Sequence, residues 1–374
     1  MKTIIDKSKL LVKLFLSLYS LAVTAQDKTA DELKNLLDND QFDKIISQYT
    51  SDYKEYSAKS LYYIGQAYYM KEDDANCLKF LDLSINKDDK DPSPIYIKAS
   101  TLNYMGKYDE AVKWFKKAIS LKADDAEFYS GLGDSYYQIK DYNAALDSYK
   151  KATEQNACPN RPYLMIGQIY SAQKQNDKAL EAFYTAKSKI SKESPSYLSA
   201  LFNIGLFESL QGNYEKAEPA FTELIQIDPS DYHSYAKLIQ VYYHKKEYEK
   251  AKPYKDKLYE AYAKGVLKDN VKDMFCFDQF KWNGYSVQVF ERYENKNTGN
   301  IYNKHIFYFF DDSDKLVLRV QTEFSPISVE LGGPKYLLCA TKTGARYNPG
   351  IGFNDDLNYD DLKTQALKVF DKYK

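Results

Sequence analysis

The chain has 374 residues, which is long enough for two or more domains or for one long repeat array. Its 52 basic and 53 acidic residues give a net charge of −1, so no overall field recruits nucleic acid or an anionic membrane surface. Tyrosine is abundant at 37 residues, and its amphipathic ring serves both to pack helix pairs and to line binding grooves.

The first 25 residues have the pattern of a secretory signal. Lysines lead into an apolar run from Leu14 to Val23, and Val23-Thr24-Ala25 resembles a cleavage site. An uncleaved anchor is the alternative, but the run is shorter than the roughly 20 residues that a membrane span needs. We therefore expect cleavage after Ala25, export to the periplasm or the secreted space, and no stable membrane insertion of the mature chain.

Small residues recur at a fixed interval through the middle of the chain. Gly65, Ala99, Gly133, Gly167 and Gly205 are separated by 34, 34, 34 and 38 positions. Such a spacing is typical of repeated pairs of antiparallel helices, in which a small residue of the first helix lets the second helix approach closely.

Residues 126–159 carry further parts of this pattern. Leu132, Gly133 and Tyr136 stand on the first helix, and Ala145 and Tyr149 stand on the second. On these residues the chain resembles the tetratricopeptide repeat family, which implies a mainly α, right-handed solenoid of helical hairpins. The resemblance divides residues 26–265 into a degenerate cap and six repeats, namely 26–57, 58–91, 92–125, 126–159, 160–193, 198–231 and 232–265.

Two departures from the regular pattern are informative. Four extra residues between Gly167 and Gly205 include Ser194-Pro195-Ser196, which predicts a longer connection between two repeats. Pro219 and Pro253 fall inside second helices, where each removes an amide donor, and they predict local bends rather than helix ends.

Residues 266–374 change character to short runs rich in Val, Ile, Phe and Tyr, several of them with period-two alternation. Asn283-Gly284 is a hairpin turn by composition. From Asn358 onward, a capping residue and helical apolar spacing predict one helix. This region is therefore expected to be a small antiparallel β-sheet domain with a C-terminal helix, and it resembles no family that we recognise.

The cysteines permit disulfides without requiring them. Cys276 and Cys339 both lie in predicted strands and would form a bridge only if their strands are neighbours. A zinc site needs closely spaced ligands, and the sequence contains no C-x-x-C or H-x-x-x-H.

Catalytic motifs are absent from the sequence. It has no G-x-S-x-G elbow, no H-E-x-x-H and no phosphate-binding loop. His233 and His244 would lie roughly 16 Å apart along one helix, too far to share an ion. We therefore expect no catalytic residues, no metal site and no cofactor.

The resemblance also implies where a partner binds, because in this family the first helices line a concave groove. Carried over by position, the groove holds tyrosines, amides and small polar groups. The positions are Tyr62, Gln66, Tyr69, Tyr96, Ser100, Asn103, Ser130, Asp134, Tyr137, Leu164, Gln168, Phe202 and Leu206. They lack the Lys, Asn and Arg clamp with which family members hold chaperone tails.

The sequence thus predicts a non-catalytic scaffold of the cell envelope or secreted space that binds a peptide or protein in this groove, with no nucleic-acid partner. In the alternative, the C-terminal β domain is a glycan-binding or enzymatic module that the array presents. Trp282, Tyr285 and Tyr347 would then stack on sugars, although aromatic residues in strands also serve packing.

Overall fold

The computed structural model describes residues 28–267, 274–291, 305–354 and 358–374. The chain forms two compact units that divide between Ile190 and Ser191. The predicted signal sequence lies outside the described residues. The secondary structure changes from helices to strands between residue 263 and residue 276. The division into units lies earlier in the chain, because the last two repeats belong to the same compact unit as the sheet.

The first unit is built from ten described helices that follow one another as hairpins. They are α1 (28–38), α2 (Phe42–Tyr49), α3 (Ala58–Met70), α4 (Asp74–Lys87), α5 (Pro92–Tyr104), α6 (Tyr108–Leu121), α7 (Ala126–Gln138), α8 (Tyr142–Thr153), α9 (Asn160–Ala172) and α10 (Asn176–Lys189).

Local sequence determines where these helices begin and end. The Asp91 and Asp125 carboxylates cap α5 and α7 by accepting backbone N–H bonds two residues on. Each first helix ends two residues before a residue with positive φ, and Gly106 and Lys140 are of this kind. Glycine tolerates that conformation, whereas Lys140 adopts it at φ +65°.

The small residues of the first helices explain the repeat spacing. A Cβ placed on Gly133 would lie 2.7 Å from the Tyr149 ring, and one on Gly167 would lie 2.6 Å from the Phe183 ring. In these two repeats, the aromatic ring of the second helix therefore occupies the space that a side chain on the first helix would need. This is the packing that the 34-residue interval predicts.

The second unit begins with two more hairpins, whose helices are α11 (Pro195–Leu210), α12 (Tyr214–Ile227), α13 (Tyr232–His244) and α14 (Tyr248–Ala263). Pro219 lies inside α12 and Pro253 inside α14, so neither proline ends its helix.

The prediction of a longer connection before the fifth repeat is wrong. Most of the extra residues lengthen α11, which has 16 residues where α9 has 13. Ser194 caps this helix by accepting from the Ser196 amide, and Pro195 occupies its first turn. Ser-Pro at this place starts a helix because the fixed φ of proline suits the first helical position.

The predicted antiparallel sheet and C-terminal helix are confirmed. The strands lie in the order β1-β2-β3-β4-β5-β6, with β7 paired to β5. They are β1 (Cys276–Trp282), β2 (Tyr285–Glu291), β3 (His305–Phe310), β4 (Leu316–Phe324), β5 (Tyr336–Lys342), β6 (Ala345–Tyr347) and β7 (Gly352–Phe353); a short helix, α15 (Pro326–Glu330), joins β4 to β5, and α16 (Tyr359–Tyr373) ends the chain.

The sheet has one face that packs on α16 and one that does not. Val320 and Leu338 on the inner face belong to one buried cluster with Leu362 and Phe370 of α16. The Phe309 and Phe370 rings stack with centroids 4.0 Å apart. Alternation along each strand places the neighbouring residues on the opposite, outer face.

The four cysteines are free thiols. A bridge between Cys276 and Cys339 required neighbouring strands, and that hypothesis is wrong because β2, β3 and β4 separate β1 from β5. Four inter-strand spacings amount to roughly 19 Å, whereas a disulfide joins Cα atoms about 5.5 Å apart.

Candidate functional site

The residues assigned to the groove lie on successive first helices in the structure. On α3, for example, Tyr62, Gln66 and Tyr69 are four and three positions apart, and this spacing places them on one helical face. We call this surface the first-helix face. Most of these residues are half-buried, while Ser130 and Leu164 are buried and Gln168 is exposed.

Tyrosine rings on this face rest on the cores of the repeats. The Tyr96 ring lies 5.0 Å from that of Phe128 and 6.0 Å from that of Phe115. Burial, reinforced by the Glu127 charge, raises the pKa of Tyr96 to about 12. Tyr62 and Tyr69 pack on the buried cluster of the first repeat in the same way. Each ring thus has one side in the core and another available to a ligand.

One acidic group on this face is already engaged within the chain. Asp134 Oδ1 accepts from the Tyr149 hydroxyl at 2.5 Å and from Arg161 Nε at 2.7 Å. Burial and the Asp134 carboxylate hold the pKa of Tyr149 far above its usual value. Asp134 therefore orders the packing of two repeats.

Smaller contacts order other assigned residues. Asn103 accepts a 3.2 Å bond from the Ser135 hydroxyl, and the Tyr137 ring meets that of Tyr142 edge-on at 5.5 Å. The sequence assignment missed Met70 and Tyr104, which end α3 and α5 and are 56% and 70% exposed. The signal was present in the sequence, since the two lie 34 positions apart at the same place in their repeats.

The second unit contains a half-open recess of about 830 Å³. The assigned residue Leu206 lines it together with Leu210 of α11 and His244 of α13. Strands β1 and β2 form the opposite wall. The other assigned residue of α11, Phe202, packs edge-on against Phe221 at 6.0 Å. Sequence reasoning missed this recess because its two walls come from regions predicted to be separate domains.

The first-helix face of α13 is covered by the sheet. Gln240 Nε2 donates to the Cys276 carbonyl oxygen at 2.7 Å, and the Tyr243 ring contacts those of Phe277 and Tyr359 at 6.0 and 4.9 Å. The corresponding face of the last repeat is therefore occupied by the chain itself.

A buried carboxylate holds this contact together. Glu291 accepts from Lys255 Nζ at 2.7 Å and from the Tyr243 hydroxyl at 3.1 Å, and His305 Nε2 lies 3.5 Å away. Burial opposes ionisation, but the hydrogen bond and charge of His305 together with Lys255 outweigh it and hold the pKa of Glu291 well below its usual range.

A second buried carboxylate lies on the other side of the same contact. Asp278 Oδ2 accepts from the Tyr359 hydroxyl and from Lys363 Nζ, each at 2.7 Å. Burial and the Asp278 charge raise the pKa of Tyr359 well above its usual value. The two carboxylates thus join the last repeat, the sheet and α16 within one core.

The aromatic residues considered for sugar stacking pack against α16. Trp282 Nε1 donates to Asp371 at 3.2 Å, the Tyr285 ring meets Phe370 edge-on at 5.0 Å, and the Tyr347 ring stacks on Tyr373 at 4.6 Å. In residues 28–267, 274–291, 305–354 and 358–374, no three His, Cys, Asp or Glu side chains are grouped so as to hold a metal ion. No helix in these ranges has the length and apolar character that crossing a membrane requires.

Comparison with known proteins places the repeats in a family. The family models described as "TPR repeat" and "Tetratricopeptide repeat" match residues 99–140, 126–157, 164–232 and 211–265. BBSome complex member BBS4 of Bos taurus is 28% identical over 134 residues, which are 36% of this chain and 25% of that protein. TPR repeat-containing protein MJ1428 of Methanocaldococcus jannaschii is 26% identical over 196 residues, which are 52% of this chain and 32% of that protein.

The chain thus spans a quarter to a third of the length of these relatives. Among solved structures, that of MamA is similar at a TM-score of 0.40 and 23% identity, covering 44% of this chain and 95% of that one. The helical hairpins of residues 99–157 and 164–265 thus match the models of the tetratricopeptide repeat family, and these segments are tetratricopeptide repeats.

Proposed function

We propose that this protein is a non-catalytic scaffold that binds a peptide or protein partner on its first-helix face. One observation carries the proposal. Tyr62, Tyr69 and Tyr96 pack one side of each ring on the repeat cores and are only half-buried, so their outer sides form a surface for contacts with a ligand. Rigid, amphipathic rings of this kind bind extended chains at low entropic cost.

The repeat architecture supports the same function. Each repeat presents the same positions of its first helix, so the face is an extended surface and not a single pocket. Tyr69 and Tyr137 occupy equivalent positions two repeats apart. A partner that contacts both must extend along the array, which favours a peptide segment or a helix over a small molecule.

Affinity capture with the intact mature chain tests this proposal. We expect one partner to be recovered by the unaltered protein and lost from the double variant Tyr69→Ala/Tyr137→Ala. Tyr184→Ala is the matched control, because Tyr184 lies on a second helix and is 41% exposed. Equal recovery by the double variant and the control would place the binding surface elsewhere.

We also propose that the mature protein is exported to the periplasm or secreted. The support is the apolar run and the small-residue site that ends at Ala25. Sequencing the N-terminus of the protein purified from its native cells is expected to begin at Gln26. A mature chain that begins at Met1 and is recovered with the cytosol would contradict export.

A further inference from the structure

The recess of the second unit combines two kinds of wall. Leu206 and Leu210 of α11 form an apolar side, and the Leu210 side chain is 65% exposed. The rest of the lining includes amides, a hydroxyl and cationic groups from α13 and the sheet, among them Lys237, Gln240, Gln279, Lys281, Ser286 and Gln288. A volume of this size is in the range of protein sites that enclose a ligand.

Two lysines of the recess lack an acidic partner. Lys237 Nζ lies 3.4 Å from Gln240 Oε1, and Lys281 Nζ donates to Ser286 Oγ at 2.6 Å. No carboxylate of the described residues pairs with either ammonium group. On α14, by contrast, Lys250, Lys252, Lys255 and Lys257 each lie within 4 Å of a carboxylate.

The lining carries a net positive charge at neutral pH. Burial lowers the pKa of His244, whose ring stacks on that of Tyr214 at 4.7 Å, so this imidazole is neutral there. Asp314 supplies one negative charge against the two lysines. The recess therefore favours a negatively charged ligand.

A row of polar side chains leads out of the recess across the outer face of the sheet. Residues paired across neighbouring strands point to the same side of a sheet. Starting from Gln279 on β1, the pairing register gives the row Gln279, Gln288, Tyr308, Arg319, Thr341 and Arg346. The row begins with two residues that line the recess and reaches two arginines.

The two arginines differ in their pairing. Arg346 forms an ion pair with Glu323. Arg319 Nε is buried and has no hydrogen-bond partner in the part of the chain that the structure describes, and no carboxylate there pairs with its guanidinium group. The Arg319 side chain is only partly buried, so its positive charge, which no carboxylate of the described residues neutralises, is available to an acidic group of a ligand.

We propose that the recess and this row together bind one extended, acidic peptide segment of a partner protein. One carboxylate of the segment contacts Lys281, with Lys237 nearby, and a second accepts from Arg319. The amides of Gln279 and Gln288 lie between them and bond to the peptide backbone, while Leu206 and Leu210 contact an apolar side chain. The inference rests on the proposed scaffold function and names the partner's chemistry for the second unit.

The register predicts the spacing of the two acidic residues. Lys281 and Arg319 are separated by three inter-strand spacings and by two residues along the strand, which together give roughly 16 Å. An extended chain advances about 3.3–3.6 Å per residue, so the two acidic residues are roughly four to five positions apart.

A random ten-residue peptide library, displayed without free C-termini and selected on the intact mature chain, tests the inference. We expect enrichment of paired Asp or Glu at a spacing of four or five, and at least a tenfold loss of that enrichment in Lys281→Gln/Arg319→Gln. The single variant Lys281→Gln changes an exposed side chain and is expected to lose the preference at one of the two acidic positions. Lys216→Gln/Lys368→Gln removes the same charge outside the recess and the row, and is expected to select as the unaltered chain does.

Four other outcomes overturn the inference. Peptides selected without an acidic pair, or selected equally by Lys281→Gln, would show that these cations do not bind the partner, while leaving the scaffold proposal intact. If selection instead depends on Tyr69 and Tyr137 alone, binding belongs to the first unit. A library from which the intact chain selects nothing contradicts both the acidic ligand and peptide binding by the scaffold.

Discussion

The side-chain amide of Gln240 donates a 2.7 Å hydrogen bond to the backbone carbonyl of Cys276. This bond joins the first helix of the last repeat to the first strand of the sheet, at a position where earlier repeats present the first-helix face. The C-terminal domain is therefore packed on the repeat array within the second unit. It ends the array and supplies the second wall of the recess.

The buried carboxylate Glu291 is expected to stabilise the second unit. Replacing it in Glu291→Gln leaves the Lys255 ammonium group, 17% exposed, without its partner. Removal of one partner from a buried ion pair costs about 3 kcal/mol or more, so we expect a loss of that order in the free energy of unfolding, measured by urea denaturation. The exposed Glu260→Gln is the matched control and is expected to leave the urea midpoint nearly unchanged. Equal midpoints for the two variants would contradict this role.

The same carboxylate predicts a pH dependence. Its pKa lies below its usual range in the folded protein, and an unfolded glutamate titrates near about 4.3. The unfolded state therefore binds the proton first as the pH falls, and the stabilisation is complete above about pH 5 and decreases below about pH 4. The difference in unfolding free energy between the unaltered protein and Glu291→Gln should therefore become smaller as the pH falls below about 4. A difference that grows on acidification would contradict the assignment.

In the turns between the helices of two repeats, exchanges between glycine and lysine at equivalent positions should have opposite effects on the free energy of unfolding. Lys140 and Gly106 both adopt positive φ, at +65° and +77°. Because a side chain destabilises this conformation by about 1 kcal/mol, Lys140→Gly should raise the free energy of unfolding and Gly106→Lys should lower it by a similar amount. Thermal denaturation of the two variants checks the prediction, and shifts of the same sign would refute it.

The close approach of helices in the third repeat predicts a larger effect at Gly133. The added methyl group of Gly133→Ala would lie 2.7 Å from the ring of buried Tyr149, whose hydroxyl donates to Asp134. Overpacking of this kind costs about 1–3 kcal/mol. We expect the urea midpoint of the first unit to fall, whereas Gln168→Ala on an exposed site should change it little. Wild-type stability in Gly133→Ala would mean that the helices are not so closely packed.

Because the four cysteines are free thiols, we expect a defined result from alkylation of the protein. Burial raises the pKa of Cys77 and of Cys276 to about 11, so both should react slowly in the folded protein at pH 8. Once the protein is unfolded without a reductant, all four cysteines should take up an alkyl group, as measured by intact mass. Uptake of only two would reveal a disulfide.

The sequence predicts the repeat array well because each repeat is a local unit. The interval between Gly133 and Gly167 follows from contacts within single hairpins, such as that of Gly133 with Tyr149, whose residues are close in the sequence. Asn283-Gly284 likewise forms the predicted hairpin, with positive φ at both residues. The cap at Asn358 is local too, and it starts the predicted last helix.

The pairing of Asp134 and the recess of the second unit could not be predicted, because they depend on contacts between residues that are far apart in the sequence. The sequence assigns Asp134 only to the groove, but its pairing with Arg161 spans 27 positions. Lys237 and Lys281 are brought to one recess by the packing of a repeat against the sheet, and Arg319 joins them through the register of three strand pairs. Alternation within a strand predicts its two faces but not the register between strands.

The most direct test of the scaffold is site-specific photo-crosslinking in the native cells. A benzophenone amino acid replaces Tyr69, Tyr137 or, as the control, Tyr184. The proposed function predicts that positions 69 and 137 crosslink to the same partner and that position 184 does not. Crosslinks of equal yield from all three positions, or none from 69 and 137, would contradict partner binding on the first-helix face.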